Sequence, residues 1–268
     1  MSKRLVPDEL WALVEPLLPE FAARPQGGGT APVDERAVFT AVVFVLTSGC
    51  AWRMLPSSFG VTVPTAHRRF SVWTEAGLWR RLHHAVLDEL GGAGLIDWSR
   101  AVIDAASVRA KKGGPLTGPS PVDRGKPGSK IHVLSDRAGI PLSVGISAAN
   151  TNDAEALRPL VKAIPAIRSR RGPRRRKPGK LHADKAYDTT ELRQWVRNRG
   201  IGVRIARKGI ESSQRLGRHR WVIERTISWL TGYHRLNLRY DRKATHFLAF
   251  LTLAAALTCY KKLTKSAT

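Results

Sequence analysis

The hydrophobic periodicity of this chain changes once, near residue 95, and this change limits what the chain can fold into. Residues 1–92 carry apolar side chains at helical spacing and almost no strand signals. From residue 98 onward, short apolar runs alternate with turns rich in glycine and proline. The sequence therefore predicts two domains, a helical one over 1–94 and a mixed α/β one over 95–268.

Within the helical region, residues 52–76 predict a helix-turn-helix. A short helix, a glycine-containing turn and a basic helix follow one another there, in the order found in that DNA-binding motif. On the basic helix, Phe70 and Trp73 are expected to point inward, so that Arg68 and Arg69 would face DNA. The alternative is an ordinary helical bundle, which offers such helix pairs by chance.

The second region contains an ordered series of elements. Three strand-like runs, AVIDAASV, KIHVLSD and PLSVGIS, are followed by a helix, the strand KLHAD, a helix, the strand IGVRIA and a further helix. This is the element order of a ribonuclease H-like domain, in which the first and fourth strands are neighbours and a later helix packs across them. We predict an α/β fold with a mixed five-stranded sheet flanked by helices. Residues 113–128, with five Gly and four Pro, are predicted to be a loop.

Three acidic residues occupy positions in these elements where they could meet. Asp104 ends an apolar run in a predicted central strand, where burying an acid costs several kcal/mol unless it is paired or bound to metal. Asp184 ends the strand KLHAD, and Glu224 lies at the edge of the apolar stripe of the helix RWVIERTISWL. Three carboxylates brought together in this way can hold two metal ions, which promote in-line phosphoryl transfer.

Each of these acids also has a structural interpretation. Asp104 could cap a turn at the end of its strand, and Glu224 could pair with Arg220 one helical turn earlier. Asp188 competes with Asp184 for the second position. However, Asp188 and Glu191 have the spacing of a capping box at the start of a helix, which predicts a structural role for Asp188.

The charge of the chain indicates the class of its partner. Lys and Arg outnumber Asp and Glu by 45 to 21, and the net charge is +24. Such an excess favours nucleic acid as the partner, ahead of an anionic membrane. Residues 168–180 carry eight basic side chains and no acid, so we predict an exposed, mobile segment that contacts the DNA backbone near the acids. Its DNA-binding residues are expected to be Arg170, Arg171, Arg174, Arg175, Arg176 and Lys177.

Cysteine usage and hydropathy predict a cytoplasmic protein. Cys50 and Cys259 lie far apart, each beside apolar residues, which favours buried free thiols in a reducing compartment. The N-terminus has no apolar segment of the kind found in signal peptides. The longest apolar stretch, 247–260, has 14 residues, too few to span a bilayer, and is predicted to be a buried helix. We therefore expect no membrane partner.

Several longer motifs support this interpretation. They are IDAASVRAKKGG, DRGKPGSKIHVLSDRAGIPL, ANTNDAEAL, HADKAYD and RHRWVIERTISWL, with LWALVEPLLP and SGCAWRMLPSSFG in the helical region. Together they resemble the DDE transposases of the insertion-sequence-five family over nearly the whole chain. The resemblance implies that Asp104, Asp184 and Glu224 are the catalytic, metal-binding residues, with two Mg²⁺ ions that Mn²⁺ can replace. It also implies a nucleoid-associated homo-oligomer that binds the terminal repeats of an insertion sequence in double-stranded DNA, and that catalyses strand cleavage and strand transfer.

The chain departs from the signature of the broader superfamily around the glutamate. That signature has a Tyr seven residues before the Glu, an Arg four before and a Lys seven after, where this chain has Gly217, Arg220 and Thr231. Arg220 is therefore expected to position a phosphate. Arg235 follows Glu224 by eleven residues and returns to within about 20° of the same helical face, so it would replace the missing Lys.

Two other classes of function share parts of this pattern. A ribonuclease H-like DNA nuclease would have the same three acids but no strand transfer, and no need for a helical domain that recognises terminal repeats. A catalytically inactive DNA-binding protein, such as a repressor or a transposase that has lost its activity, would need only the helical domain and the positive charge. The three intact acids argue against this second class.

Overall fold

The structure, a computed structural model, describes residues 5–20, 33–207, 209 and 213–266, with the backbone alone for 213–220. Its N-terminal part is helical, as predicted, and contains α1 (Asp8–Val14), α2 (Glu35–Ser48), α3 (Val63–Glu75) and α4 (Leu78–Gly92). The elements that follow are β1 (Ala101–Ala110), β2 (Gly118–Pro119), β3 (Pro127–Asp136), β4 (Pro141–Ala148), α5 (Ala154–Ala163), β5 (Lys180–Ala183), α6 (Thr190–Asn198), β6 (Gly202–Ile205), α7 (Ser213–Thr231), β7 (Leu238–Arg239) and α8 (Ala244–Lys265).

The strands form one mixed sheet with β1 near its centre. β1 and β3 are antiparallel, as are β3 and β4, whereas β1 and β5 are parallel, as are β5 and β6. The five longer strands therefore lie in the order β4-β3-β1-β5-β6, and the first and fourth of them along the chain are neighbours. This order confirms the ribonuclease H-like prediction. Two short strands, β2 and β7, complete a sheet of seven.

The prediction that 113–128 is entirely a loop is wrong. β2 lies within this segment and pairs with the start of β3. The guanidinium of Arg239, which is 1% exposed, donates hydrogen bonds to the carbonyl oxygens of Pro115 at 2.7 Å and Leu116 at 3.0 Å. A buried side chain from a distant part of the chain thus supplies the partners that order this segment.

The segment predicted as a helix-turn-helix lacks a regular first helix. Trp52–Met54 and Ser57–Phe59 form two short 3₁₀ turns ahead of α3. Phe70 and Trp73 of α3 are fully buried, as predicted. The ring of Phe70 stacks on Phe250 of α8 with the ring centroids 4.5 Å apart. α3 is therefore packed against the C-terminal helix rather than standing apart from it.

One hydrophobic cluster extends through both predicted domains, and α8 lies within it. This helix has 22 residues, more than the apolar run 247–260, and is long and apolar enough to cross a membrane by length and composition. However, 67% of its apolar window is buried inside the protein, where it packs against α4 and β4. α8 is therefore a core helix, as predicted. The division of the chain at residue 94 stays a prediction.

Both cysteines are free thiols, but only one is fully buried. Cys259 lies in the interior of α8, whereas Cys50, at the end of α2, is half-buried. The expectation of two buried thiols is thus met by Cys259 alone. Burial raises the pKa of the Cys259 thiol well above its ordinary value, so this thiol stays protonated and acts as a small apolar group.

Candidate active site and nucleic-acid interface

Asp104 and Asp184 lie at the same level on two adjacent parallel strands. Val102 of β1 is the register partner of His182 of β5. Continuing this register by two residues places Asp104 beside Asp184, which directly follows the last residue of β5. Because side chains alternate between the two faces along a strand, both carboxyl groups point to the same face of the sheet.

Backbone hydrogen bonds orient both carboxylates. Asp104 accepts a hydrogen bond from the N–H of Ala105 at 2.8 Å. Asp184 accepts one from the N–H of Ala186 at 2.8 Å and thereby caps the short 3₁₀ turn after β5. Both aspartates are half-buried. They are therefore held in defined positions at the surface of the sheet.

A buried tyrosine, which the sequence analysis missed, lies next to this pair. Tyr187 is 1% exposed, and its hydroxyl has no hydrogen-bond partner in the part of the chain that the structure describes. Burial raises the pKa of Tyr187 strongly, and the negative charges of Asp153, Asp104 and Asp184 raise it further. The hydroxyl therefore stays protonated and remains a hydrogen-bond donor near the two aspartates. Its place in the motif HADKAYD is the signal that could have identified it.

Glu224 lies on α7, which packs across β1 and β3. Ile223 and Leu230 are fully buried, whereas Glu224 is exposed, which confirms its predicted position at the edge of the apolar stripe. Among the described residues, no group of three or more His, Cys, Asp or Glu side chains lies close enough together to hold a metal ion. The structure thus brings Asp104 and Asp184 together but does not add Glu224 to a three-residue cluster.

The aspartate pair has the donor chemistry that a divalent cation requires. Mg²⁺ prefers oxygen ligands and is bound in proteins through one or two carboxylates. Asp104 and Asp184 present two carboxylates at one level of the sheet, so these two residues fit such an ion. Glu224 is a candidate for the third ligand because α7, the helix that carries it, packs across β1.

The predicted capping box of α6 is wrong. The hydroxyl of Thr189, not the carboxylate of Asp188, accepts the backbone hydrogen bond that begins this helix. Asp188 instead pairs with Arg193 at 2.7 Å, and Glu191 pairs with Arg158. Thr189 is one residue closer to the helix and has a capping side chain of its own. Asp188 keeps a structural role, through a different contact.

The basic run at 168–180 is largely exposed, as predicted, and it enters β5 from the end opposite to Asp184. It leads into Lys180, the first residue of β5, whereas Asp184 follows the last one. Four strand residues, roughly 13 Å, separate the two ends of β5. The length of β5 thus separates the run from Asp184, and the contact of this run with DNA near the acids stays a prediction.

Acids at the C-terminal end of α4 hold part of this run. The guanidinium of Arg174 donates to both carboxylate oxygens of Asp88, at 2.9 and 2.8 Å. Arg168 donates to the carboxylate of Glu89 at 3.2 Å. Arg174 thus fixes the run to the protein, and because half of its side chain is exposed, its contact with DNA stays a prediction. The other predicted residues are exposed and stay candidates for DNA binding: Arg170, Arg171, Arg175, Arg176 and Lys177.

On α3, only one of the two predicted DNA-binding arginines is exposed. Arg69 is 7% exposed and pairs with Glu35 at 3.0 Å. The prediction that Arg69 faces DNA is therefore wrong, because its guanidinium joins α3 to α2. Arg68 is exposed and stays a candidate.

Of the two arginines predicted to act beside Glu224, the structure describes the side chain of one. Arg235 is 3% exposed and pairs with Asp241 at 3.0 Å, so it cannot replace the missing Lys. The helical extrapolation failed because α7 ends at Thr231, before Arg235 is reached. The side chain of Arg220 lies outside the described residues, and its role stays a prediction.

A basic groove with aromatic walls, also missed by the sequence analysis, lies between α3 and the segment around α8. Its volume is about 720 Å³. Three distant parts of the chain form it, so no local motif indicates it. It is lined by the exposed cations Arg53, Lys112, Arg242 and Lys243, and by the rings of Trp52, His67, Tyr240 and His246.

Residues 99–259 match the Transposase DDE domain family. The chain belongs to the DDE transposases. Residues 6–83 of this transposase match a second family, described as IS4/5 family transposase (DUF4096). The two matched segments lie on either side of residue 94. The family assignment confirms the predicted enzyme class, a DNA transposase.

The transposase is similar to proteins of two insertion sequences. It is 43% identical over 154 residues to a transposase for IS402 of Burkholderia cepacia. The aligned region covers 58% of this chain and 73% of that protein. It is 26% identical over 135 residues to a transposase for IS6501 of Brucella ovis, which covers 48% of this chain and 95% of that protein. Among solved structures, the piggyBac transposase synaptic complex with hairpin DNA matches with a TM-score of 0.46 and 10% identity, over 99% of this chain and 75% of that chain.

Proposed function

We propose that this transposase binds the terminal repeats of an insertion sequence and that Asp104, Asp184 and Glu224 carry its cleavage and strand-transfer activities. The observation that carries the proposal is the register of two adjacent parallel strands. It brings Asp104 and Asp184 to the same level of the sheet and to the same face. Glu224 supports the proposal from α7, which packs across the same strand β1.

The three carboxylates would hold divalent cations, Mg²⁺ or Mn²⁺ in its place. When bound, such ions activate the attacking hydroxyl and stabilise the charge that develops on the phosphodiester. The chain itself contributes orientation, because backbone N–H groups hold the carboxylates of Asp104 and Asp184 in place. Tyr187 contributes a protonated hydroxyl, which can donate a hydrogen bond to an anionic group near the two aspartates.

Double-stranded DNA would be bound by the positive surface of the protein. The net charge of +24 supports a phosphate-rich partner. The cations of the aromatic groove and the exposed Arg68 are the best placed to contact it, because they lie on the surface of the helical region or beside it. Binding as a homo-oligomer, in association with the nucleoid, is part of this proposal, since an insertion sequence has two ends to be processed together.

The test is cleavage and joining of a duplex that carries the ends of the flanking element, in buffer with MgCl₂. Asp104→Asn, Asp184→Asn and Glu224→Gln preserve side-chain shape but remove the charge that would hold the metal. Each is expected to lower cleavage by roughly 10³-fold or more. DNA binding should persist, because the charge removed is negative. Wild-type cleavage by either aspartate variant would overturn the proposal, and cleavage without joining would favour a nuclease.

A further inference from the structure

A strongly positive pocket lies on the same face of the sheet as the two aspartates, toward the starts of the strands that carry them. It has a volume of about 340 Å³ and opens at the edge formed by the starts of β1, β5 and β6. No acid is among the described residues that line it. These are four permanent cations, one histidine and one serine: Arg100, Arg137, Lys180, Arg204, His182 and Ser99.

The strand register puts this pocket on the same face of the sheet as the acids. His182 of β5 and Arg204 of β6 are register partners, so their side chains share one face. Lys180 and Asp184 lie two residues before and two residues after His182 and point to that face as well. Two residues of strand correspond to about 7 Å, so the pocket directly adjoins Asp184.

Two of the pocket's cations, Arg100 and Arg137, repel one another. Burial lowers the pKa of Arg100, and the charge of Arg137 lowers it further. Asp97, at 3.4 Å from Arg137, offsets part of this charge, and its carboxylate is itself partly exposed. A cluster of like charges of this kind is unfavourable by itself and becomes favourable when an anion binds among them.

We propose that this pocket binds a backbone phosphate of the DNA strand whose scissile phosphodiester lies at Asp104 and Asp184. The inference rests on the proposed function. Guanidinium groups bind phosphate through paired N–H donors, and this pocket is lined by three of them. DNA carries one phosphate per strand for about every 3.4 Å of its axis, so a phosphate bound there would be one or two nucleotides from the reacting bond.

The first test uses inorganic phosphate and needs neither metal nor cleavage. Phosphate is titrated into the full-length protein while the histidine ring signals are followed by NMR, with the signal of His182 identified by its loss in His182→Gln. The wild-type signal should shift and saturate. The double variant Lys180→Gln/Arg204→Gln should lose this saturation. The matched control Arg80→Gln/Lys162→Gln removes two exposed cations elsewhere and should respond as the wild type does.

An unmoved His182 signal in the wild type, or an equal response in the Lys180→Gln/Arg204→Gln variant, would overturn the pocket as an anion site. Circular dichroism of each variant verifies that it is folded. Because both substituted side chains are exposed, the fold should be retained.

The second test distinguishes DNA backbone phosphate from free phosphate. The affinity for duplex DNA is measured against salt concentration. The Lys180→Gln/Arg204→Gln variant should lower the slope of log K against log salt by about 0.9 for each lost phosphate contact, and the control should keep the wild-type slope. An unchanged slope in a variant that no longer binds inorganic phosphate would mean that the pocket takes a free anion, and would overturn the assignment to DNA.

The two proposals can fail separately. If Asp104→Asn and Asp184→Asn cleave DNA as the wild type does, the proposed catalytic site is wrong, whatever the phosphate titration shows. If those variants are inactive while the Lys180→Gln/Arg204→Gln variant binds phosphate and DNA normally, only the pocket inference is wrong.

Discussion

Asp104 and Asp184 each lie two residues beyond the same register pair, Val102 and His182, of two adjacent parallel strands, so the continued register brings them to one level of the sheet. Parallel neighbours require a crossover connection, so residues far apart in the chain meet at one level of the sheet. Asp188, the nearest competing acid, lies in a different setting, paired with Arg193 at 2.7 Å. This difference supports Asp184, and not Asp188, as the second catalytic acid of the proposal.

Asp188→Asn is therefore expected to weaken the fold and not the reaction. Asn cannot form the ion pair with Arg193, and both side chains are mostly buried, so the free energy of unfolding should fall by about 1–2 kcal/mol. DNA cleavage measured at a temperature where the variant is folded should stay near the wild-type rate. Asp184→Asn should show the opposite pattern. An inactive Asp188→Asn variant with an active Asp184→Asn variant would show that the second catalytic acid was misassigned.

The basic run should divide into residues that hold it in place and residues that bind DNA. Arg174→Gln breaks the paired hydrogen bonds to Asp88 and should lower the melting temperature slightly. Arg171→Gln and Arg176→Gln, at exposed positions, should leave the melting temperature unchanged. The latter two should weaken binding to all DNA sequences alike and reduce the salt dependence of that binding. If the salt dependence does not change, the run is a solvated segment without a role in DNA binding.

The two neighbouring arginines of α3 should have different functions. Arg69→Ala removes the partner of the Glu35 carboxylate, whose pKa is raised by burial, and should lower the free energy of unfolding by about 1–3 kcal/mol. Arg68→Ala should leave stability unchanged and reduce the preference for element ends over random DNA by about 1–3 kcal/mol. Denaturant unfolding and competition binding measure the two effects. An unchanged preference in Arg68→Ala would place sequence recognition elsewhere.

Buried histidines should make the fold sensitive to acid. Burial lowers the pKa of His83 and of His132 to about 4. Both histidines are neutral in the folded state and have a pKa near 6.5 when unfolded, so protonation favours unfolding as the pH falls from about 6.5 toward 4. Asp136 opposes this trend, because burial raises its pKa to about 6 and its protonation below that pH stabilises the fold. With two histidines against one aspartate, a net loss of stability is expected.

The measurement is denaturant unfolding at pH 7 and at pH 5. Each histidine should contribute a loss of roughly 2 kcal/mol at pH 5, less the smaller gain from Asp136. His83→Gln is the informative variant, because a side-chain amide can still donate to the carbonyl oxygen of Pro141, which His83 contacts at 2.8 Å. This variant should lose less stability between the two pH values than the wild type. Equal losses would show that His83 does not titrate in this range.

The sequence by itself determined the order of elements and the strongest candidate acids. Hydrophobic periodicity and strand ends are local properties, so Asp104 after an apolar run, Asp184 at a strand end and Glu224 at the edge of a helical stripe could all be recognised without a structure. The alternation of Lys180 and His182 with their apolar neighbours was also present in the sequence. However, only the pairing of the strands shows that Lys180 and His182 line a pocket on the same face of the sheet as Asp184.

Only the tertiary structure decided which basic side chains are available. Arg69 and Arg235 look like exposed cations in the sequence, but each is buried against an acid from a separate element or turn. The position of the basic run relative to Asp184, and the meeting of Arg100, Arg137 and Arg204 in one pocket, depend on how β1, β5 and β6 pair. The physical reason is that burial and electrostatic environment are set by contacts between distant segments, which local sequence patterns do not encode.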